Sequence, residues 1–289
     1  MIPKRREHIW LLMPAVLTLL CITIFPLIFS VNVSLRHYST IGKPAHYFNN
    51  FANFRFILTD PHFYNSLWVT IKFSLLCLIV ELPVGFGLAL LFSEKNYRLS
   101  PLNILIFLPM AIAPAVVGLV FRWFYSAEVG IIGYILGLVG IQAPSWTSSG
   151  LASMFSVVLA DAWEWTPFVF LICLAGLQSI DEEVYEAAQI DGASAWKRLQ
   201  YITVPLMKPT VVIVLLLRAI PALKEFDKFF IITAGGPGIS TESTSLYVYK
   251  QFIWYNNLGT ATAAAFFLLI VIIIFCQLLF AYLRRQEKW

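Results

Sequence analysis

The stretch SIDEEVYEAAQIDGASAWKRLQYITVP, Ser179 to Pro205, is a charge-bearing, soluble-looking interruption in an otherwise apolar chain. It carries Glu186-Ala187-Ala188, then Gly192 four residues on, then Ile202 and Pro205. A run of this kind between membrane-length apolar segments presents a handle to the water, and the rest of the chain is read outward from it.

Hydrophobic residues make up 59% of the 289 and charged residues 12%, and mean hydropathy is +0.78. A soluble domain of this size needs more surface charge. About twenty apolar residues cross a hydrocarbon core. Six stretches qualify: 9–33, 67–92, 102–124, 151–174, 210–234 and 258–283. They are too long and too continuously apolar for barrel strands, and in lipid their backbone polar groups must be paired internally, so helices are expected. The expected fold is all-α, one six-span transmembrane domain over residues 1–289. Lys4-Arg5-Arg6 before the first apolar run imitates a secretory signal, but the run is long and no small-x-small cleavage site follows, so it reads as an uncleaved span. Cys21, Cys77, Cys173 and Cys276 all fall inside spans without metal-type spacing and read as packing residues.

The basic residues set an orientation. With both termini in the cytoplasm, the inner segments hold eleven Lys and Arg (Lys4, Arg5, Arg6, Lys95, Arg98, Lys197, Arg198, Lys208, Arg284, Arg285, Lys288). The outer loops hold four (Arg36, Lys43, Arg55, Lys250). The interrupting stretch then faces the cytoplasm. The net charge of +4 reflects topology and is no argument for nucleic-acid binding. Trp123, Trp146, Trp254 and Tyr255 sit near span ends, where amphipathic rings anchor to the interface.

Within the handle, Ser179-x-x-Glu182 has capping-box spacing, and Asp181 adds a favourable charge at a helix start. A helix is expected from 182 to 190, a turn at Gly192, and a second helix from 194 to 201 ending before Pro205. The pair forms either a protruding knob or an amphipathic connector lying on the membrane surface.

The spacing resembles the cytoplasmic signature of the permease subunits of bacterial ABC importers: Glu-Ala-Ala, three residues, Gly, nine residues, Ile, one residue, Leu-Pro. Glu186, Ala187, Ala188, Gly192, Ile202 and Pro205 match in register. Val204 replaces the usual Leu, and Asp181 stands where sugar-type members often carry proline. Leu108-Pro109, Trp163 to Pro167, and Phe226-Asp227 leading into Thr233-Ala234-Gly235-Gly236-Pro237 extend the resemblance over nearly the whole chain. The branch it resembles imports maltose, glycerol phosphate and oligosaccharides, and the chain looks like the first of that branch's two permease types. The resemblance implies the type I importer fold in a bacterial inner membrane. It implies partners as well: a second, homologous permease chain, two ATP-binding cassette subunits, and an extracytoplasmic solute-binding protein. Glu186, Ala187, Ala188, Asp191 and Gly192 are then the contacts that couple to the ATPase. The chain has no G-x-x-x-x-G-K-[ST] phosphate loop, so ATP and Mg are expected at the partner subunits, with no cofactor on this chain and no enzymatic role for it.

Charges inside a membrane are costly and face a partner or a wet cavity. Asp161, Glu164, Trp165 and Phe168 fall at i, i+3, i+4 and i+7 and share one helical face. Carboxylates accept sugar hydroxyls and flat rings pack on pyranose faces; alternatively, Asp161 and Glu164 are structural ion-pair partners. Pro167 is positioned to kink this helix. Counting ~1.5 Å per residue puts Arg218 roughly 12 Å and Asp161 about 15 Å into the core, so Arg218 is expected to pair with Asp161 or Glu164. Lys224, Glu225, Asp227 and Lys228 lie nearer the outer mouth in a continuous fifth span, solvated or paired within the helix. By resemblance, Met110, Trp165, Phe168, Ala222 and Glu225 match positions lining the family's substrate cavity. Glu81 receives no role beyond an interhelical hydrogen bond.

Two other classes compete. A proton- or sodium-coupled transporter, using Asp161, Glu164 or Glu81, predicts broken helices and inverted repeats, which the sequence does not display. A membrane enzyme needs a convergent catalytic set, yet His8, His37, His46 and His62 are scattered.

Overall fold

The computed structural model describes residues 5–39, 45–93, 102–142 and 145–286. Lys4, Lys43, Lys95, Arg98 and Lys288, used above to set orientation, lie outside the described residues. The chain runs through α1 (Arg5–Ser34), an antiparallel hairpin of β1 (Arg36–Ser39) and β2 (Ala45–Phe48), α2 (Ala52–Thr59) and α3 (Pro61–Phe92). There follow α4 (Leu102–Phe107), α5 (Pro114–Phe124), α6 (Ile131–Leu138), α7 (Gly150–Gln178), α8 (Glu182–Ile190) and α9 (Ala195–Arg198). Last come α10 (Val204–Leu223), α11 (Thr244–Ile253) and α12 (Leu258–Gln286). Among the described residues five helices are long and apolar enough to cross a bilayer, or six if one bent pair counts as a span.

The bent pair falls in the third expected span, 102–124. Segments Leu105–Ala111 and Pro114–Phe124 meet at 108°. A 3-10 turn over Leu108–Ala111 follows α4, and Ala113 is extended at φ −63°, ψ 137°. Proline disfavours the helical conformation in the residue before it, and Pro114 is preorganised to start the next helix. By contrast, α7 runs unbroken through Pro167.

The fifth span is also shorter than expected at one end and longer at the other. Its helix stops at Leu223, two residues after Pro221; the chain turns through 224–226 and becomes helical again at Asp227, widening into a π turn at Phe229–Thr233. At the near end there is no stop before Pro205. The chain is helical from Ala195 to Leu223 over 29 residues, with a π turn at Leu199–Thr203. Val204 N–H reaches back five residues to the Leu199 carbonyl. A π turn inserts one residue into the helical ladder, which lets the backbone pass Pro205, whose ring has no N–H and crowds the preceding turn.

The described residues cluster into two compact units, one built from the chain up to Phe63 with Tyr247–Leu268, the other from Tyr64–Leu246 with the chain after Leu269. In the first, Ile57, Phe63, Tyr247, Ala263 and Ala264 form the core. Asn53 donates to the Ser34 and Arg36 carbonyls at 2.8 and 2.9 Å, and Tyr247 donates to Asp60 at 2.6 Å. In the second, Ala89 of α3, Val169, Phe170, Cys173 and Leu177 of α7, and Met207 and Val214 of α10 pack together. Close approach of α3 to α7 depends on Gly85, where an added Cβ would lie 2.7 Å from Val169 Cγ1 and 3.0 Å from the Phe170 nitrogen.

Gly85→Ala is expected to lower stability by about 1–3 kcal/mol through overpacking. Gly87→Ala, where an added Cβ meets nothing within 4 Å, is expected to be neutral or to stabilise by about 0.5–1 kcal/mol. Thermal unfolding of the two purified variants checks the difference.

Candidate functional site

The handle folds as a knob. α8 starts at Asp181, whose side chain makes no cap bond. The expected capping box does not form, because Ser179 belongs to the end of α7: its hydroxyl donates to the Gly176 carbonyl at 2.7 Å and its N–H to Ala175. Glu182 and Glu183 in the first turn of α8 complement the helix dipole without that box. At the other end Gly192 sits at φ +75°, and Ala193 N–H bonds the Ala188 carbonyl at 2.9 Å, closing the helix in a Schellman-type turn. Ser194 then caps α9 by accepting from Lys197 N–H. Nothing in α8 is buried: Glu186, Ala187 and Asp191 are exposed, Ala188 is half-covered, and Ile190 is 87% exposed. Tyr185 shares a 3.0 Å hydrogen bond with the buried Thr203 hydroxyl, so α8 is tied to the π turn at the root of α10.

Deeper in the same unit, side chains from α3, α7, α10 and the 224–228 segment after it converge on one buried network. Arg218 donates from Nε to Glu81 Oε2 at 2.6 Å and from Nη2 to Glu81 Oε1 at 2.9 Å, and it also bonds Asp161 Oδ2. Lys228 Nζ reaches Asp161 Oδ1 at 2.8 Å and Glu225 Oε2 at 3.1 Å. It also contacts Glu164 Oε2 at 2.8 Å, as an ion contact rather than an aligned hydrogen bond. Arg218, Lys228, Glu81 and Asp161 are fully buried. Cys77, Glu81 and Asp161 bring potential metal-ligand atoms within 4.8 Å of one another, but the guanidinium already occupies both carboxylates, so the group does not fit a metal ion.

Of the residues singled out for a substrate cavity, Asp161, Glu164, Trp165, Arg218 and Glu225 come together. Both Asp161 oxygens are taken by cations. Arg218 lies 4.9 Å over the Trp165 ring, and Trp165 meets Phe168 edge to face at 5.8 Å; both rings are half-buried. The Arg218 Nη1 group has no hydrogen-bond partner. Ala222 is buried, and Met110 stands outside the network, exposed on the 3-10 turn that packs against α7.

Of the two partners expected for Arg218, the structure pairs it with Asp161; Glu81 is a further partner, and Glu164 goes to Lys228. Sequence reasoning left Glu81 and Lys228 out of the site. In a continuous helix Lys228 stands about 15 Å beyond Arg218. Because the helix ends at Leu223, the chain turns and brings the ammonium back to the level of Asp161. The available signal was Glu81 itself, a lone acid deep in an apolar span that requires a cation.

Arg218→Ala leaves Glu81 without a cation and Asp161 with one. It is expected to cost about 3–5 kcal/mol, as uncompensated buried charge does. Glu81→Gln is expected to cost less, because Asp161 keeps Arg218 in place. The ranking of unfolding temperatures of the two variants in detergent checks this.

The geometry can be set beside known proteins. Residues 81–288 match the family model described as binding-protein-dependent transport system inner membrane component. The chain is 33% identical over 249 residues to a trehalose/maltose transport system permease protein, MalF, of Thermococcus litoralis, covering 86% of this chain and 83% of that one. It is 34% identical over 256 residues to a sulfoquinovosyl glycerol transport system permease protein, SmoG, of Agrobacterium fabrum, covering 88% and 83%. Its fold superposes, with a TM-score of 0.84 at 23% identity and 99% and 96% coverage, on a chain of a bacterial alginate ABC transporter solved in complex with an alginate pentasaccharide-bound periplasmic protein. A membrane-length helical bundle carrying the Glu-Ala-Ala knob, matched by one family model over most of its length, belongs to the binding-protein-dependent transport system inner membrane components.

Proposed function

We propose that this chain forms one half of the translocation pathway of an ATP-driven importer of a saccharide or saccharide derivative. The observation that carries the reading is a continuous mechanical path. The exposed knob α8 is latched through Tyr185–Thr203 to a helix that runs from Ala195 to Leu223 and delivers Arg218 into the buried ion network. From Ala195 to Arg218 this lever is about 35 Å long. The exposed apolar groups Ile190 and Trp196 give a docking partner something to cover.

In this reading Glu186, Ala187, Ala188, Asp191 and Gly192 form the surface that docks into the ATPase subunits, where ATP and Mg are held. The termini and the knob face the cytoplasm, as the bias in basic residues supports. A solute-binding protein delivers cargo on the opposite side, and a second permease chain completes the pathway across the bilayer. The half-buried Trp165 and Phe168 rings are the groups best suited to a sugar. Asp161, Glu164 and Glu225 act by holding the two cations, and Met110 and Ala222 border the same passage.

A broken helix is a feature of ion-coupled transporters, and the third span is broken, so that feature alone does not discriminate. Membership of the binding-protein-dependent family favours the ATP-driven reading, and the sugar-transport names of the relatives support the cargo class.

The test uses the whole complex in proteoliposomes with loaded binding protein. Gly192→Pro removes the φ +75° turn and the Gly192 N–H bond to Gln189. It is expected to lower ATP-dependent uptake by at least about tenfold, equivalent to about 1.4 kcal/mol. Uptake that persists after ATP depletion while a proton gradient remains overturns the reading, as does transport by this chain alone.

A further inference from the structure

A second feature of the same unit is used by neither the knob nor the ion network. A cavity of ≈ 750 Å³ opens where the end of α5 meets the loop before α7 and the second π turn, walled by Arg122, Trp123, Tyr125, Trp146 and Thr233. Tyr125 and Trp146 place their rings 4.9 Å apart at 35°. Tyr125 is held by donating to the Ser156 carbonyl of α7 at 2.9 Å, so the aromatic wall is anchored to the bundle. The indole Nε1 of Trp146 is buried without a hydrogen-bond partner. Arg122 is exposed and donates from Nη1 to the Ile231 carbonyl at 3.2 Å. Its other N–H groups face no carboxylate among the described residues.

An aromatic ring, an exposed guanidinium and a hydroxyl rim are the chemistry of a carbohydrate site. Flat rings pack on the C–H faces of a pyranose, and a planar fork of donors matches neighbouring hydroxyls or a carboxylate. The volume falls within the usual range for small-molecule sites. Ser156 and Trp165 are nine residues apart on α7, roughly 13 Å along it and half a turn around it. The cavity and the Trp165–Phe168 rings therefore lie at different levels and on different faces of one helix.

We propose that this cavity is a separate saccharide-binding subsite, in which a pyranose unit stacks on the half-buried Trp146 ring, itself backed by the buried Tyr125, and Arg122 hydrogen-bonds its hydroxyls or an acidic substituent. It lies at the end of α7 remote from the knob and is distinct from the Trp165–Phe168 pair. The inference rests on the cargo being a saccharide, as proposed above.

The test is saturation-transfer NMR on the intact complex in nanodiscs without binding protein, with maltotriose and a uronate trisaccharide as probes. Saturable binding of at least one probe is expected. It should weaken about tenfold in Trp146→Ala and in Arg122→Gln, and stay unchanged in Trp254→Ala. Arg122 is exposed, so its variant keeps the test open should Trp146→Ala fail to fold. Equal binding by wild type and Arg122→Gln overturns the proposal. So does binding of inorganic phosphate without binding of either sugar, which marks an anion site for lipid headgroups. Whole-cell uptake separates the two readings. Saccharide uptake with no binding at this cavity sinks the subsite and leaves the importer standing, whereas a complex that takes up no saccharide overturns both.

Discussion

The guanidinium of Arg218 is the constraint to which the rest of this structure answers. It is fully buried, grips Glu81 with two of its donors and reaches Asp161 with one of them. A fixed planar fork matches this arrangement as an ammonium cannot. Ions removed from water lose several kcal/mol each, and only close, well-aligned partners offset that loss. Sliding α10 by one helical turn against α3 or α7 moves the guanidinium about 5.4 Å and strands three charges at once. The segments that carry Glu81, Asp161, Arg218 and Lys228 must therefore travel as one body, and Gly85 lets two of them approach closely enough to do so.

A locked core pushes compliance to its edges, and the backbone irregularities lie there. The 3-10 turn at Leu108–Ala111 stands at the 108° bend, one π turn lies at the root of α10, and another follows the 224–228 segment. Each stands close to a proline: Pro109 and Pro114, Pro205, and Pro221 with Pro237. In a membrane every unpaired backbone group is expensive, so irregular backbone persists only where local rearrangement satisfies it again. Wider and tighter turns do this by shifting the hydrogen-bond partner by one residue. The Tyr185–Thr203 bond places the knob on one of these flexible points, so a push at the knob meets a yielding root before a rigid lever.

What could be read from the sequence follows the range of the interactions involved. α8 appears at Glu182–Ile190, as expected, because a short amphipathic run with acids at its start and glycine at its end is specified by neighbours. The membrane spans were legible from their length and apolar content. The capping box failed because Ser179 had a second option, closing the helix behind it, which spacing alone does not rank. The bend in the third span was written in Pro109 and Pro114, but hydropathy averages over both. Lys228 was misplaced for a geometrical reason: depth counted along a straight helix is wrong once the helix ends at Leu223. Glu81 went unassigned because its partner lies 137 residues away in sequence.

The same ion network limits how a sugar can be held. Asp161 has no free oxygen for a hydroxyl, and Glu164 and Glu225 are committed to Lys228. The carboxylates that looked most like sugar ligands are thus better described as supports for two cations. What remains for a passing ring is the half-buried Trp165–Phe168 pair. Stacking on a flat ring is tolerant of which sugar passes and adds little selectivity. A pathway lined in this way binds weakly, and weak binding suits a conduit, since each tight contact formed on entry has to be broken on release. Selectivity on the proposed reading therefore rests with the protein that delivers the cargo, and the permease supplies passage and the coupling that drives it.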